Sequence, residues 1–266
     1  MKPYVGSKPT FLHVPFEVIP ALEKPAQMGL VTLETDLTIE TEMRHFLSGA
    51  PGHDDASGVA LLQTRIACDD QVTAENLTLM EGRFSEALAL FPTGYAFDVI
   101  GYGCTSASLL IGEDRVQKII QSQIDVAHVT TPLTAAKRGL AALGVDKIGY
   151  LAPYVSEISN QMCEELGTAG FAVGAAATFG EGRDSVVGCI SPMSILEAIT
   201  ALIDRAPKLE AIFVSCTSLK CAPIIARAEA RFGIPILSSN SVIAWDMARL
   251  AQVSVSATGK GALFLK

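Results

Sequence analysis

The feature that most constrains this chain is an internal repeat in which an apolar run ends in Cys-Thr-Ser. Asp98-Val-Ile-Gly-Tyr-Gly-Cys-Thr-Ser106 aligns with Glu210-Ala-Ile-Phe-Val-Ser-Cys-Thr-Ser218, an offset of 112 positions. Two shorter matches run in the same order: residues 28–31 with 148–151, and residues 126–131 with 234–239. Three ordered matches at similar offsets indicate that the chain contains two related halves.

Short apolar runs alternate with longer helical patterns, which is typical of parallel sheets with crossover helices. The expected strands are residues 28–33, 59–64, 99–103, 126–129, 147–152, 172–178, 211–215 and 234–237. The expected helices are residues 37–47, 73–91, 105–121, 134–143, 157–169, 191–204, 220–232 and 241–251. Asp36, Thr73 and Ser191 are expected to cap three of them. The pattern predicts an α/β fold of two pseudo-symmetric lobes, each a roughly four-stranded parallel sheet flanked by helices.

The repeat also suggests domain boundaries. We expect residues 28–130 plus 238–266 to form the first lobe and residues 131–237 the second, with the C-terminal helix returning to the first lobe. Residues 1–27 lie outside the repeat and carry five prolines. We interpret them as an N-terminal arm, which either packs on a partner subunit or extends over the surface.

Composition and charge exclude several classes of protein. Hydrophobic residues make up 49% and charged residues 18%, which excludes a disordered chain. The net charge of −8 gives no electrostatic footprint for nucleic acid. No apolar run approaches the roughly 20 residues of a membrane helix. Glu17, Glu23 and the prolines interrupt the N-terminal residues, so no signal peptide is expected and the prediction is a cytoplasmic protein.

The cysteines and histidines do not predict a metal site. Without a secretion signal, the six cysteines are expected to be thiols. No Cys-x-x-Cys pair occurs, and the four histidines do not cluster with cysteines at the spacing of metal ligands. No glycine-rich nucleotide-binding pattern occurs either. We therefore expect no metal and no cofactor.

The position of each Cys-Thr-Ser favours chemistry. In an open parallel sheet, ligands bind at the carboxyl ends of the strands, where Cys104 and Cys216 are expected. A following helix N-terminus is expected to lower the pKa of each thiol, and the adjacent hydroxyls can hold a carboxylate or an oxyanion. If the lobes face each other, both thiols flank one interlobe cleft, which is the predicted active site.

A structural explanation of the same residues remains open. Lone buried cysteines are commonly small core residues, and Thr and Ser after a strand are ordinary helix caps. The duplication of Cys-Thr-Ser at corresponding positions favours function for Cys104 and Cys216. The core interpretation is preferred for the other four cysteines: Cys68, Cys163, Cys189 and Cys221.

Several segments carry a family resemblance. They are residues 28–42, Tyr102-Gly-Cys-Thr-Ser106, Ala152-Pro-Tyr154, Ser215-Cys-Thr-Ser218 and Ser238-Ser-Asn240 with Trp245-Asp246. Together they resemble the maleate cis-trans isomerases and the related arylmalonate decarboxylases of the aspartate/glutamate racemase superfamily. The paired cysteines are typical of the superfamily, whereas Tyr154 and Ser-Ser-Asn indicate this branch.

The resemblance implies roles for the matching residues. Cys104 matches the isomerase cysteine that adds to the substrate double bond, and Cys216 matches the one that donates or accepts a proton. Tyr154 matches a tyrosine that hydrogen-bonds a substrate carboxylate, although a strand-end aromatic that shields the core would look the same. The Thr-Ser pair after the first cysteine matches part of the decarboxylase anion pocket. The candidate substrate-binding residues are Asp36, Thr105, Ser106, Tyr154, Thr217 and Ser218.

Two acidic residues depart from the family pattern. Asp36 stands where the isomerases have Asn, and a second substrate-binding Asn is replaced near Asp184. An ionised Asp only accepts hydrogen bonds. Asp36 beside a bound dicarboxylate would therefore add electrostatic repulsion of about 4 kcal/mol, for a separation of about 4 Å and an effective dielectric constant of about 20. This predicts poor turnover of maleate and a preference for a nitrogen-bearing or less anionic substrate, unless Asp36 is protonated. Asp36 is also explained as the N-cap of residues 37–47.

Several functions share this pattern of residues. An isomerase would use the Cys104 thiolate to add to an alkene, whereas a racemase would use both cysteines as opposed acid–base groups. A decarboxylase needs only the cysteine matching Cys216, so the presence of both thiols disfavours it. A two-lobed binding protein would not need paired thiols, and iodoacetamide labelling with ligand protection would distinguish it. The leading prediction is a two-cysteine isomerase or racemase that acts on a small carboxylate and forms a homo-oligomer.

Overall fold

Two parallel sheets form the centre of the molecule. The computed structural model describes residues 11–18, 26–49 and 58–266. The first sheet has the strand order β2-β1-β3-β4 and the second the order β6-β5-β7-β8. The strands are β1 Ala26–Leu33, β2 Val59–Ile66, β3 Phe97–Gly103, β4 Val126–Thr130, β5 Lys147–Ala152, β6 Ala172–Thr178, β7 Ala211–Val214 and β8 Ile236–Ser238. The predicted two-lobed α/β fold is therefore confirmed, with the same strand order in both halves.

The helices follow the strands in alternation. They are α1 Ile39–Leu47, α2 Ala74–Leu79, α3 Phe84–Leu88, α4 Thr105–Ile111, α5 Glu113–Gln121, α6 Pro132–Leu143, α7 Ser156–Thr168, α8 Asp184–Val187, α9 Pro192–Arg205, α10 Ile225–Phe232 and α11 Ser239–Leu250. Two 3₁₀ helices cover Met80–Arg83 and Ala262–Leu265. Thr73 and Ser191 cap α2 and α9 as predicted, accepting hydrogen bonds from the N–H groups of Asn76 and Ser194.

Three predicted helices were wrong in extent. The segment predicted as one helix over residues 73–91 divides into α2, a 3₁₀ turn and α3, and this turn contains Gly82, a poor helix former. The segment over residues 105–121 breaks at Gly112, whose φ of 91° is outside the helical region and favours glycine. The helix predicted from residue 220 begins only at Ile225, so no helix follows Cys216 directly.

The two Cys-Thr-Ser segments lie at corresponding edges of the two sheets. β1 pairs in parallel with both β2 and β3, and β5 pairs in parallel with both β6 and β7. Cys104 comes directly after β3, and Ser215 and Cys216 come directly after β7. Because the carboxyl ends of parallel strands share an edge, each cysteine lies at the ligand-binding edge of its sheet.

Helix α11 connects the two halves of the molecule. It contacts β3, β4 and α1 as well as β8 and α6. Its approach to β3 depends on Gly101, where a Cβ atom would lie 2.7 Å from the Met247 sulfur. At the start of α11, Ser239 contacts both cysteine segments and Asn240 contacts the second. The division into a first lobe of residues 28–130 plus 238–266 and a second lobe of residues 131–237 stays a prediction.

The N-terminal segment is described only in part, since residues 1–10 and 19–25 of the predicted arm lie outside the described residues. Residues 11–18 have no helix or strand, and Phe11, Leu12 and Phe16 expose more than four-fifths of their surface. Across residues 11–18, 26–49 and 58–266, no helix is long and apolar enough to cross a membrane.

Candidate active site

One cavity brings the two cysteine segments together. It lies between the carboxyl ends of the two sheets and is lined by Leu33, Cys68, Asp69, Gln71, Val72, Asn76, Leu77, Met80, Cys104, Thr105, Ser106, Tyr154, Asp184, Cys216, Thr217 and Ser218. The cavity is nearly closed, because Cys104 is only 3% exposed and Cys216 only 7%. Every candidate site residue from the sequence lines this cavity except Asp36.

Cys104 occupies a regular helix cap. Its backbone is extended, with φ −142° and ψ 114°, and it is the N-cap of α4. The Cys104 sulfur accepts a hydrogen bond from the Ala107 N–H at 3.4 Å and lies 3.7 Å from the Ser106 hydroxyl. A side-chain acceptor at the N-cap satisfies one of the free N–H groups of the helix. The sulfur is therefore held in place by local structure.

Cys216 has an unusual backbone conformation. Its φ of 103° lies in a region that side chains other than glycine rarely adopt. Such a conformation costs about 1–3 kcal/mol and persists only where the surroundings impose it. Here the Cys216 N–H donates to the Ser239 hydroxyl at 3.0 Å, and the Asn240 amide donates to the Thr217 carbonyl at 2.8 Å. The Thr217 hydroxyl in turn donates to the Gly103 carbonyl at 3.2 Å.

Ser239 joins the two segments. Its hydroxyl oxygen accepts the Cys216 N–H and also lies 2.8 Å from the Thr105 hydroxyl. Ser239 is fully buried, so these hydrogen bonds are not replaced by water. The distance between the two cysteine segments is thus controlled from a third element, α11.

The expected lowering of the thiol pKa values by helix N-termini was wrong. Burial raises the pKa of Cys104 to about 12, against the opposing effects of the Ala107 N–H and the Ser106 hydroxyl. Burial also raises the pKa of Cys216 well above its usual range, and the charge of Asp184 raises it further. Desolvation of a charged sulfur therefore exceeds any helix effect, and no helix begins at Cys216. Burial therefore favours the neutral form of both thiols.

Tyr154 presents a hydrogen-bond donor to the cavity. It follows β5 and is fully buried, and its hydroxyl oxygen accepts a hydrogen bond from the Ser215 hydroxyl at 3.4 Å. Burial raises the pKa of Tyr154 well above its usual range. The phenol therefore keeps its proton at neutral pH and can donate it in a hydrogen bond to a carboxylate.

Asp184 contributes a carboxylate to the cavity wall. The Ser218 hydroxyl donates to one of its oxygens at 2.8 Å, and the Thr35 hydroxyl donates to the other. Asp184 is buried at the start of α8, and its charge raises the pKa of both cysteines. The sequence pointed to this region only through a loose match to an Asn of the isomerases.

Asp36 lies outside the cavity wall, so the structure provides no substrate contact for it. It is completely buried, and one carboxylate oxygen accepts hydrogen bonds from the N–H groups of Thr38 at 2.7 Å and Ile39 at 2.9 Å. The prediction of Asp36 as the N-cap was wrong, because α1 begins at Ile39 and its N-cap is Thr38, which makes no side-chain capping bond. Burial raises the pKa of Asp36, although the same two N–H groups oppose the shift.

The segment after β2 lines the cavity, although no residue in it was predicted as part of the site. Gln71 forms an antiparallel bridge with Arg183, the Val72 N–H donates to the Gly182 carbonyl at 2.8 Å, and the Asp184 N–H donates to the Asp70 carbonyl at 2.8 Å. The position of Cys68 and Asp69 just after a parallel strand was a usable signal. Cys104 was selected because ligands bind at the carboxyl ends of parallel strands, and the same rule applies to Cys68 and Asp69.

The other cysteines divide into three environments. Cys221 is fully buried, as expected for a core residue, and Cys163 is half-buried. The core interpretation was wrong for Cys189, which is exposed, whereas Cys68 is half-buried against the core and also lines the cavity. Within the ranges that the structure covers, no group of three or more His, Cys, Asp or Glu side chains is arranged to hold a metal ion.

Comparison with known proteins gives consistent matches over most of the chain. The sequence model of the arylmalonate decarboxylase family matches residues 78–264. A maleate isomerase of Nocardia farcinica is 27% identical over 245 residues, which cover 89% of this chain and 94% of that protein. An arylmalonate decarboxylase of Bordetella bronchiseptica is 26% identical over 136 residues, 51% of this chain and 57% of that protein.

Solved structures show the same two-lobed arrangement. One is a cysteine-to-serine variant of the Nocardia farcinica maleate cis-trans isomerase with a covalently bound succinylcysteine intermediate. It superposes with a TM-score of 0.80 and 25% identity over 90% of this chain and 98% of the other. The similarity therefore covers most of the length of both chains.

Proposed function

This chain belongs to the arylmalonate decarboxylase family, and on that premise we propose that it is a cofactor-independent isomerase that acts on a small carboxylate through Cys104 and Cys216. The observation that supports this most directly is the shared cavity, in which both thiols lie beside the Tyr154 hydroxyl. A decarboxylase needs a single proton donor, whereas two thiols suit addition to an alkene and its reversal. The full-length similarity to maleate isomerases favours the same reaction type.

The two thiols can divide the reaction between them. The Cys104 sulfur forms a bond to one alkene carbon, and the π electrons move to the neighbouring carbon, which takes a proton from Cys216. Cys216 recovers the proton that Cys104 loses, so the addition consumes no external acid or base. Rotation about the resulting single bond and reversal of these steps release the trans alkene and restore both thiols.

The closed cavity assists this chemistry. Burial favours the neutral form of both thiols, and neutral thiols are weak nucleophiles, which limits side reactions with other electrophiles. During addition, negative charge develops on the substrate carboxylate next to the reacting carbon. The Tyr154 hydroxyl is a fixed donor for that charge, and such preorganised donors stabilise transition states strongly where water is excluded.

Decarboxylation is the second candidate, because the matching family model is that of arylmalonate decarboxylases. Cys216 would then protonate the carbanion left by loss of CO₂, and its raised pKa suits a proton donor. Cys104 would have no required role. Retention of activity in Cys104→Ser would support this alternative.

The test is a cofactor-free assay followed by proton NMR in D₂O. We expect conversion of a cis alkene carboxylate, such as maleate or its monoamide, into the trans isomer. Mass spectrometry of Cys216→Ser with the same compounds should reveal a thioether at Cys104. Release of CO₂ from an arylmalonate, with no isomerisation of either alkene, would overturn the proposal in favour of decarboxylation.

We also propose that the protein is cytoplasmic and self-associates as a dimer or tetramer. The support for self-association is the segment 11–18, which exposes Phe11, Leu12 and Phe16, since clustered exposed apolar side chains mark interaction sites. Analytical ultracentrifugation of the full chain should give a dimer or larger species. Removal of residues 1–25 should shift the protein toward monomer, and an unchanged mass would show that this segment is not part of the contact.

A further inference from the structure

The charged side chains described in the cavity lining are acidic. Among the residues that the structure describes, the lining includes two acidic residues, Asp69 and Asp184, but no Lys, Arg or His. A site for a dianion is expected to offer at least one cation or a concentrated set of donors. This lining instead combines a few hydroxyl donors with carboxylates.

The two acidic residues are not equivalent. Asp69 is half-exposed, and the guanidinium of Arg83 lies 3.5 Å from its carboxylate, so its charge is largely compensated. Asp184 is only 4% exposed. Among residues 11–18, 26–49 and 58–266, no Lys, Arg or His nitrogen lies within 4.0 Å of the Asp184 carboxylate. Asp184 therefore brings an uncompensated negative charge to the wall that holds Cys216.

The hydrogen bonds of Asp184 define what it can bind. The hydroxyls of Thr35 and Ser218 each donate to one of its oxygens, which fixes the carboxylate in the wall. A carboxylate has about four acceptor positions, so about two remain for a ligand. An ionised carboxylate has no proton to donate. A substrate group that faces it must supply an N–H or carry a positive charge.

Resting on the proposed function, we propose that Asp184 determines substrate specificity, and that the substrate is a cis alkene with a carboxylate at one end and an amide or ammonium nitrogen at the other. The carboxylate end is bound by the Tyr154 hydroxyl, a donor, and the nitrogen end by Asp184, an acceptor. The monoamide of maleate fits both ends. Maleate itself places its second carboxylate against the carboxylate of Asp184.

This assignment replaces the role first expected for Asp36. The argument from like charges is the same, but it applies to the acid that lines the cavity. One oxygen of Asp36 accepts the N–H groups of Thr38 and Ile39, and Asp36 does not line the cavity. Of the acidic residues in the described part of the chain, Asp184 alone combines burial, absence of a compensating cation and a place in the lining.

The deciding experiment compares kcat/KM for maleate and for its monoamide in the wild type and in Asp184→Asn. We expect the wild type to prefer the monoamide by about 100-fold or more, since close like charges are strongly unfavourable in a buried site. Asp184→Asn can donate as well as accept, so the ratio should shift toward maleate by about the same factor. Asp204→Asn is the control for the change in net charge, and it should leave the ratio unchanged because Asp204 is exposed and does not line the cavity.

Two outcomes would overturn the inference. If the wild type prefers maleate, Asp184 does not select for nitrogen, although the proposed isomerase function stands. If Asp184→Asn lowers kcat/KM equally for both compounds, Asp184 has only a structural role through Thr35 and Ser218.

A binding measurement keeps the inference testable if neither alkene is turned over. Isothermal titration of the wild type and Asp184→Asn with succinate and its monoamide measures the preference without any reaction. Tighter binding of the monoamide to the wild type, reversed in Asp184→Asn, would support the role of Asp184 even if the proposed reaction were wrong. Equal binding of both compounds to both proteins would overturn it.

Discussion

The two Cys-Thr-Ser segments have the same sequence but different structures. Cys104 is an extended N-cap whose sulfur accepts a helix N–H, and α4 begins at the next residue. Cys216 has a φ of 103° and is followed by turns, with α10 beginning at Ile225. The first segment is therefore fixed by local hydrogen bonds, whereas the second is fixed by contacts from elsewhere in the chain.

This difference shows what a duplicated motif preserves. In both halves the cysteine stays at the carboxyl end of the third strand of its sheet, because the sheet topology is the same. The backbone around the second cysteine depends on Ser239, Asn240 and Glu42, which come from α11 and α1. The Glu42 carboxylate accepts hydrogen bonds from the Ala222 N–H at 2.6 Å and from the Asn240 amide at 2.9 Å.

The largest expected difference between the segments is chemical. Cys104→Ser and Cys216→Ser should each lower turnover by about 100-fold or more, because a serine hydroxyl is a far weaker acid than a thiol. Only Cys216→Ser should accumulate a thioether, at Cys104, when incubated with substrate. Intact-protein mass spectrometry and turnover assays measure both effects.

The half-buried Cys163 provides the control for these variants, since it lies outside the cavity. Cys163→Ser should keep its turnover. If Cys104→Ser retained near-complete activity, or if both cysteine variants formed the same adduct, the proposed division of roles between the segments would be wrong.

A second expected difference is the pH dependence of stability. It should come from Glu42, whose carboxyl group contacts the second segment. Burial raises the pKa of Glu42 to about 7, from a usual value of 4.5. The folded state then binds a proton more tightly than the unfolded state, so this contribution to the free energy of unfolding is complete below pH 4.5. It is lost as the pH rises to about 7, and the loss amounts to about 3 kcal/mol.

Urea unfolding of the wild type and Glu42→Gln between pH 4.5 and 8 tests this contribution. The wild type should lose stability across the window relative to Glu42→Gln, whose side chain does not titrate. Buried Asp36 contributes a trend of the same sign in both proteins, and its charge adds to the raised pKa of Glu42, so the difference between the two profiles measures Glu42 together with this coupling. Parallel pH profiles for the two proteins would contradict the assignment.

The hydrogen bonds of Ser239, which link the two segments, should contribute somewhat less to the free energy of unfolding than Glu42 does. Ser239→Ala removes the acceptor of the Cys216 N–H and the partner of the Thr105 hydroxyl, leaving two buried groups unpaired. The expected loss is about 1–3 kcal/mol in the free energy of unfolding, with a fall in turnover because both cysteine segments shift. Ser122→Ala, which removes an exposed hydroxyl, should change neither quantity measurably. A stable, inactive Ser239→Ala would place its role in catalysis instead.

The smallest effects concern the backbone at each cysteine. At residue 216, Cys216→Gly should be more stable than Cys216→Ala by about 1 kcal/mol, because glycine adopts positive φ freely. At residue 104, Cys104→Ser should be more stable than Cys104→Ala by about 1 kcal/mol, because serine retains the helix cap. Thermal unfolding of the four variants measures both differences. Equal stability of Cys216→Ala and Cys216→Gly would show that the backbone at residue 216 is not strained.

Much of the fold followed from the sequence because its signals are local. Apolar runs bounded by turn residues predicted all eight strands to within a few residues, and the repeat predicted two sheets of equal topology. Helix ends were less accurate where one residue decided the break, as at Gly112. The segment after β2 has no counterpart signal in the repeat, so its contact with the region around Arg183 was not foreseen.

The sequence by itself determined that two cysteines, each at the end of a parallel strand, belong to corresponding positions of two lobes. Only the tertiary structure decided that burial raises the pKa of both thiols, that Cys216 takes a positive φ, and that Asp184 lines the cavity while Asp36 does not. The physical reason is the range of the interactions. Strand and repeat patterns depend on neighbouring residues, whereas desolvation, charge and backbone strain depend on groups that approach only after the two lobes and α11 have packed together.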